Sequence, residues 1–128
     1  MEKIKVELVI EKGDEGLWGS VKYNNNLIAN HGIDLADLEN KLKLRLQEFE
    51  DVDPETVAFE PTYDVFALFQ EFDFLNISKV AKYAAINAGL LRQYASGVKH
   101  PSLNQAKKIE ETLHRLAEQL QKASVYAV

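Results

Sequence analysis

The hydrophobic period of this chain settles at Asp64 and does not change again, and this splits the possible folds into two halves. Before that point strand and helix patterns mix. Ile4, Val6, Leu8 and Ile10 alternate with Lys5, Glu7 and Val9, the period of a strand with one buried face. Gly13-Asp14-Glu15-Gly16 reads as a turn, Leu17 to Tyr23 as an antiparallel second strand, Asn24-Asn25-Asn26 as another turn, and Leu27-Ile28-Ala29 as a short third strand. Asp34 is placed to cap a helix in which Leu35, Leu38, Leu42, Leu46 and Phe49 recur at helical spacing. Asp53-Pro54 breaks that helix, and Thr56 to Thr62 suits a fourth strand. The expected order is β-β-β-α-β over residues 1–63, followed by an all-α domain over 64–128, so the fold class is α+β.

After Asp64 the pattern is helical. Val65, Leu68, Phe69 and Phe72 predict a helix joining the halves. Two short helices follow, Ile77 to about Ala84 with Asn76 as cap, and about Ala88 to Ala95 ended by Gly97. Ser102-Leu103-Asn104-Gln105 is a capping-box sequence. It opens a long helix carrying Leu103, Ala106, Ile109, Leu113, Leu116 and Leu120.

The two short helices have the spacing of a helix-turn-helix. Such helices meet near a right angle, which requires a small residue at the contact, apolar anchors and a tight turn. Ala81 is the small residue, with Val80 and Ala84 beside it. Ala85-Ile86-Asn87 forms the turn, and Leu91 and Tyr94 anchor the second helix. Ala85 must take a left-handed backbone at a cost of about 1 kcal/mol, or the turn must change. If the second helix enters a major groove, Asn87, Ala88, Gly89, Arg92, Gln93 and Ser96 face base edges. Lys79, Lys82, Lys99 and His100 then meet phosphates. The alternative is a plain helical bundle with Arg92 and Gln93 solvated.

Charge follows the same division. The chain is acidic overall, at −5, but residues 1–75 hold 17 acids against 7 bases, a net of −10. From Asn76 to Ile109 there are no acids and six bases: Lys79, Lys82, Arg92, Lys99, Lys107 and Lys108. Two surfaces with different partners are expected.

Other chemistry finds little footing. Glu7, Glu11 and Glu60 fall on solvent-facing strand positions, and metal-dependent cleavage would need them to converge. His31, His100 and His114 lack ligand spacing, no cysteine is present, and no phosphate-binding or nucleophile motif occurs. The expectation is no enzyme, no catalytic residue, no metal and no cofactor. Trp18 reads equally as an interface anchor or as core. No apolar run approaches the ~20 residues of a membrane span, so a cytoplasmic protein without a membrane partner is expected.

The run Ile86-Asn87-Ala88-Gly89-Leu90-Leu91-Arg92-Gln93-Tyr94-Ala95-Ser96-Gly97-Val98-Lys99-His100-Pro101-Ser102, continuing through Gln105 to Glu110, resembles the helix-turn-helix ending of HicB-family antitoxins. The β-β-β-α-β order is similar to their N-terminal partial ribonuclease H-like domain. Asn24 to Asn30 stand where those domains carry a Pro-x-x-Pro-Gly-like turn, and Gly32 and Asp34 match their Gly-Asp-Thr-type helix start in part. The resemblance implies an antitoxin that blocks a HicA-like RNA-cleaving toxin with its N-terminal domain. It also implies a repressor that binds operator DNA with its C-terminal domain, as a homodimer or higher even oligomer. The alternative is an orphan DNA-binding regulator, or an interaction module without a toxin partner.

Overall fold

The computed structural model describes residues 2–127; Met1 and Val128, the outer ends of the two expected domains, lie outside them. The fold is α+β, with a four-stranded mixed sheet and five α-helices among the described residues. The chain divides into two compact units, one ending at Glu71 and one starting at Phe72.

The first unit holds β1 (Ile4–Gly13), β2 (Gly16–Tyr23), β3 (Asn26–Gly32), α1 (Leu35–Glu50), β4 (Val57–Tyr63) and α2 (Val65–Glu71). The sheet order is β3-β2-β1-β4, with β1/β2 and β2/β3 antiparallel and β1/β4 parallel. Asn24 and Asn25 both take positive φ, 49° and 64°, and so close the β2–β3 hairpin in two residues. Asparagine tolerates this backbone, and mirror-image turns match the twist of the strands.

Val6, Leu8 and Ile10 of β1, Leu17 and Val21 of β2, Ile28 of β3 and Val57 of β4 form one apolar layer. Leu38, Leu42 and Leu46 of α1 and Ala67 of α2 pack on it from the same side. The other face of the sheet has no helix of this unit on it. Trp18 lies there, 42% exposed, between Glu11 and His31 on the neighbouring strands, so it is not core.

Three expectations are corrected here. The third strand is longer than Leu27–Ala29, because its core-facing positions after Ile28 are Asn30 and Gly32 and carry no apolar signal. Phe49 is 64% exposed rather than buried: Leu38, Leu42 and Leu46 exhaust the sheet contact, and Phe49 stacks under the Arg45 guanidinium at 5.7 Å. The helix over 65–71 belongs to the first unit, so the boundary falls after it and not at 63/64. Asp64 ties it there: its N–H donates to the Ile10 carbonyl at 2.8 Å. Its carboxylate accepts from the Lys12 N–H at 2.9 Å and the Ala67 N–H at 2.7 Å.

α1 starts on a reciprocal cap. Asp34 accepts from the Asp37 N–H at 2.8 Å, and Asp37 accepts from the Ile33 N–H at 3.0 Å. That second bond, helped by Lys41, holds the Asp37 carboxyl below its ordinary value. A lowered native pKa stabilises the fold above the unfolded value and loses that contribution as pH falls through the native one. Asp37→Asn is therefore expected to make acid unfolding of the first unit less steep below about pH 4. Trp18 fluorescence across an acid titration checks this.

Candidate nucleic-acid interface

The second unit is built from α3 (Ile77–Ala84), α4 (Ala88–Ala95) and α5 (Leu103–Lys122). Each opens on a side-chain cap: Asn76 accepts from the Lys79 N–H at 3.0 Å, Asn87 from Leu90 at 3.1 Å and Ser102 from Gln105 at 3.2 Å. These caps satisfy N–H groups that the helices leave open, which is why the three polar residues set the starting points.

The connection from α3 to α4 is three residues long. Ala85 takes φ 56° and ψ 43°, so the alanine accepts the left-handed geometry. The Ile86 N–H then reaches back to the Ala81 carbonyl at 2.9 Å, and the Ile86 side chain is buried. Val80, Ala81, Ala84, Leu91 and Tyr94 are buried with it, and Ile109 and Thr112 of α5 complete the buried set. Ala85→Gly removes the Cβ strain but frees the unfolded chain, and the first effect is the larger. The second unit is expected to gain about 0.5–1 kcal/mol, read as a rise in the helical melting transition by circular dichroism.

α4 ends at Ser96 and Gly97, whose φ of 80° lets the Val98 and Lys99 N–H groups bond the Gln93 carbonyl at 3.0 and 3.2 Å. This turn fixes where Lys99 and His100 leave the helix. α5 is corrected in one respect. Ile109 is buried, but Leu103 and Leu120 are 72% and 74% exposed, because only its middle packs on α3 and the helix overruns that core at both ends.

The predicted site residues fall as follows. Asn87, Arg92 and Gln93 are exposed, while Ala88 and Gly89 are half-buried at the helix start. A Cβ on Gly89 would come within 3.1 Å of the Asn87 Oδ1 that caps the helix. The Ser96 hydroxyl donates to the Gln93 carbonyl at 3.1 Å, so it serves the helix end as well as facing solvent. Lys79, Lys82, Lys99 and His100 are all exposed. None of the six bases between Asn76 and Ile109 forms an ion pair with another described residue, so the positive charge of this stretch is left uncompensated.

Three contacts were not visible in the sequence. The Arg92 guanidinium donates to the Ser78 hydroxyl at 3.2 Å, which anchors a long side chain of α4 against α3. Lys108 and Arg115 of α5 donate to the Ala85 and Tyr83 carbonyls at 3.4 and 3.0 Å, placing two cations at the C-terminal end of α3. No local spacing encodes these pairs, since the partners are separated by 14 to 32 residues.

On the first unit Glu7 and Glu60 are register partners on the open sheet face, and Thr62 donates to Glu7 at 3.3 Å. Among the described residues no group of three or more His, Asp or Glu could hold a metal ion. No described helix is long and apolar enough to cross a membrane. Comparison of the chain with protein-family models, with curated proteins and with solved structures finds no match.

Proposed function

We propose that this chain is an antitoxin and transcriptional autorepressor of the HicB type, whose second unit binds operator DNA through a helix-turn-helix. The observation that carries this is the exposed row Asn87, Arg92 and Gln93 on α4, set among bases that no acid neutralises. Arg and Gln each present two hydrogen-bonding groups, to guanine and adenine edges respectively, and Lys79, Lys82, Lys99 and His100 can take phosphates on either side. The Ser78 hydroxyl reduces the freedom Arg92 has to lose on binding.

In this reading the first unit, a partial ribonuclease H-like domain, binds and blocks a HicA-like RNA-cleaving toxin. Its support is electrostatic: residues 1–75 carry a net charge of −10, which attracts a basic partner and speeds its approach. Paired α4 helices on a dimer would read half-sites about one helical turn apart.

The test is titration of the protein onto its own promoter DNA at two salt concentrations, with scrambled DNA as control. Promoter binding is expected to weaken by about 10³ between 50 and 200 mM salt if six phosphates are engaged. Arg92→Ala is expected to cost about 1–3 kcal/mol of promoter preference while leaving toxin binding intact. Weak binding indifferent to sequence would reduce α3 and α4 to a structural bundle.

A further inference from the structure

A helix that enters the major groove reads base edges with its N-terminal residues, which lead into the groove. Arg92 is a full turn past that end of α4, so where its side chain runs decides what it can read. Helical side chains lean back over the preceding turn, and the neighbour three residues earlier on the same face is Gly89.

The Arg92 side chain takes that backward course. Its Nη2 lies 4.0 Å from the point a Cβ on Gly89 would occupy, and its Nη1 donates to the Ser78 hydroxyl at 3.2 Å. Ser78 and Gly89 are each the second residue of their helix. The guanidinium therefore lies over the first turn of α4 and against the first turn of α3. Gly89 has no side chain to fill this path, which gives it a part in the site although it has nothing of its own to present to a base.

The chemistry of the holding group matters as much as its place. A carboxylate in place of Ser78 would bind the guanidinium more strongly, but it would cancel its charge and repel DNA phosphates. A serine hydroxyl accepts one N–H and is neutral, so Arg92 keeps its charge and its remaining N–H groups. No acid occurs from Asn76 to Ile109 to compete for it.

We infer that Ser78 is a specificity-determining residue that acts through Arg92, holding the guanidinium at the leading end of α4 before DNA arrives. The inference rests on the reading of α4 as the helix that enters the groove. A guanine is recognised by two N–H groups offered together, a demand that an arginine free to swing meets less often.

The test is a double-mutant cycle on the full protein, read as the ratio of promoter to scrambled-DNA affinity at one salt concentration. Ser78→Ala is expected to lower this ratio by about three- to tenfold, the worth of one hydrogen bond. Ser78→Thr, which keeps the hydroxyl, is expected to restore it. In an Arg92→Ala background Ser78→Ala is expected to change the ratio no further, because a residue that acts through another falls silent once that residue is gone. In the DNA-free protein the nitrogen-15 order parameter of the Arg92 Nε–H is expected to fall in Ser78→Ala and to recover in Ser78→Thr. A ratio that Arg92→Ala lowers and Ser78→Ala leaves unchanged would overturn the inference. An equal loss from Ser78→Ala with and without Arg92 would overturn it too, since Ser78 would then act on DNA by itself. An unaltered protein with no promoter preference would instead overturn the DNA-binding reading, and this inference with it.

Discussion

Leu91→Ala is expected to unfold much of the second unit and to abolish DNA binding, although residue 91 faces no ligand. Its side chain is fully buried, and truncating a buried leucine costs about 2–5 kcal/mol through lost burial and the cavity left behind. The unit starting at Phe72 has fewer than 60 residues. A core of that size rarely supplies more than about 3–5 kcal/mol, so one such change removes most of its stability. The neighbouring Arg92 is exposed and bonds the Ser78 hydroxyl, so Arg92→Ala is expected to leave the fold intact. The pair therefore separates fold from recognition. Circular dichroism should show the helical signal falling in Leu91→Ala but not in Arg92→Ala. Trp18, the sole tryptophan, reports the first unit and should keep its transition in both.

Gly32→Ala is the corresponding change in the first unit, expected to cost about 3 kcal/mol or more from overpacking. A Cβ at Gly32 would lie 2.6 Å from the Leu38 amide nitrogen and 2.8 Å from its Cα, both backbone atoms of α1. Backbone cannot swing aside as a side chain can, so the start of α1 must lift off β3. Gly19→Ala makes a useful comparison. Its Cβ would meet the Leu38 side chain at 2.6 Å, and rotation of that side chain can relieve part of the clash. Urea unfolding followed by Trp18 fluorescence should rank Gly32→Ala as the more damaging, and the reverse order would mean that α1 does not seat on β3 in this way.

The sequence alone determined what depends on near neighbours in the chain. Alternation placed β1, the flanking turns bounded β2, the Asp53-Pro54 break set off β4, and helical spacing with Asn76, Asn87 and Ser102 as caps placed α3, α4 and the start of α5. A capping bond spans three residues, and strand alternation spans two, so both are written locally. The exposed face of α4 was legible for the same reason: once Leu91 and Tyr94 are assigned inward, the period leaves Arg92 and Gln93 outward.

The tertiary structure decided whatever depends on where an element ends against another. β3 runs on through Asn30 to Gly32 because these residues keep pairing with Gly19, Trp18 and Leu17 of β2, and Gly32 leaves room for the Leu38 backbone, neither of which an apolar periodicity marks. α2 stays with the sheet because Asp64 bonds Ile10 and Lys12, more than 50 residues away in the chain. Phe49 and Leu120 continue an apolar stripe beyond the surface that could bury it, since helix length and core length are set independently. The sequence states the period of an element, while its burial depends on a neighbour that only the folded chain supplies.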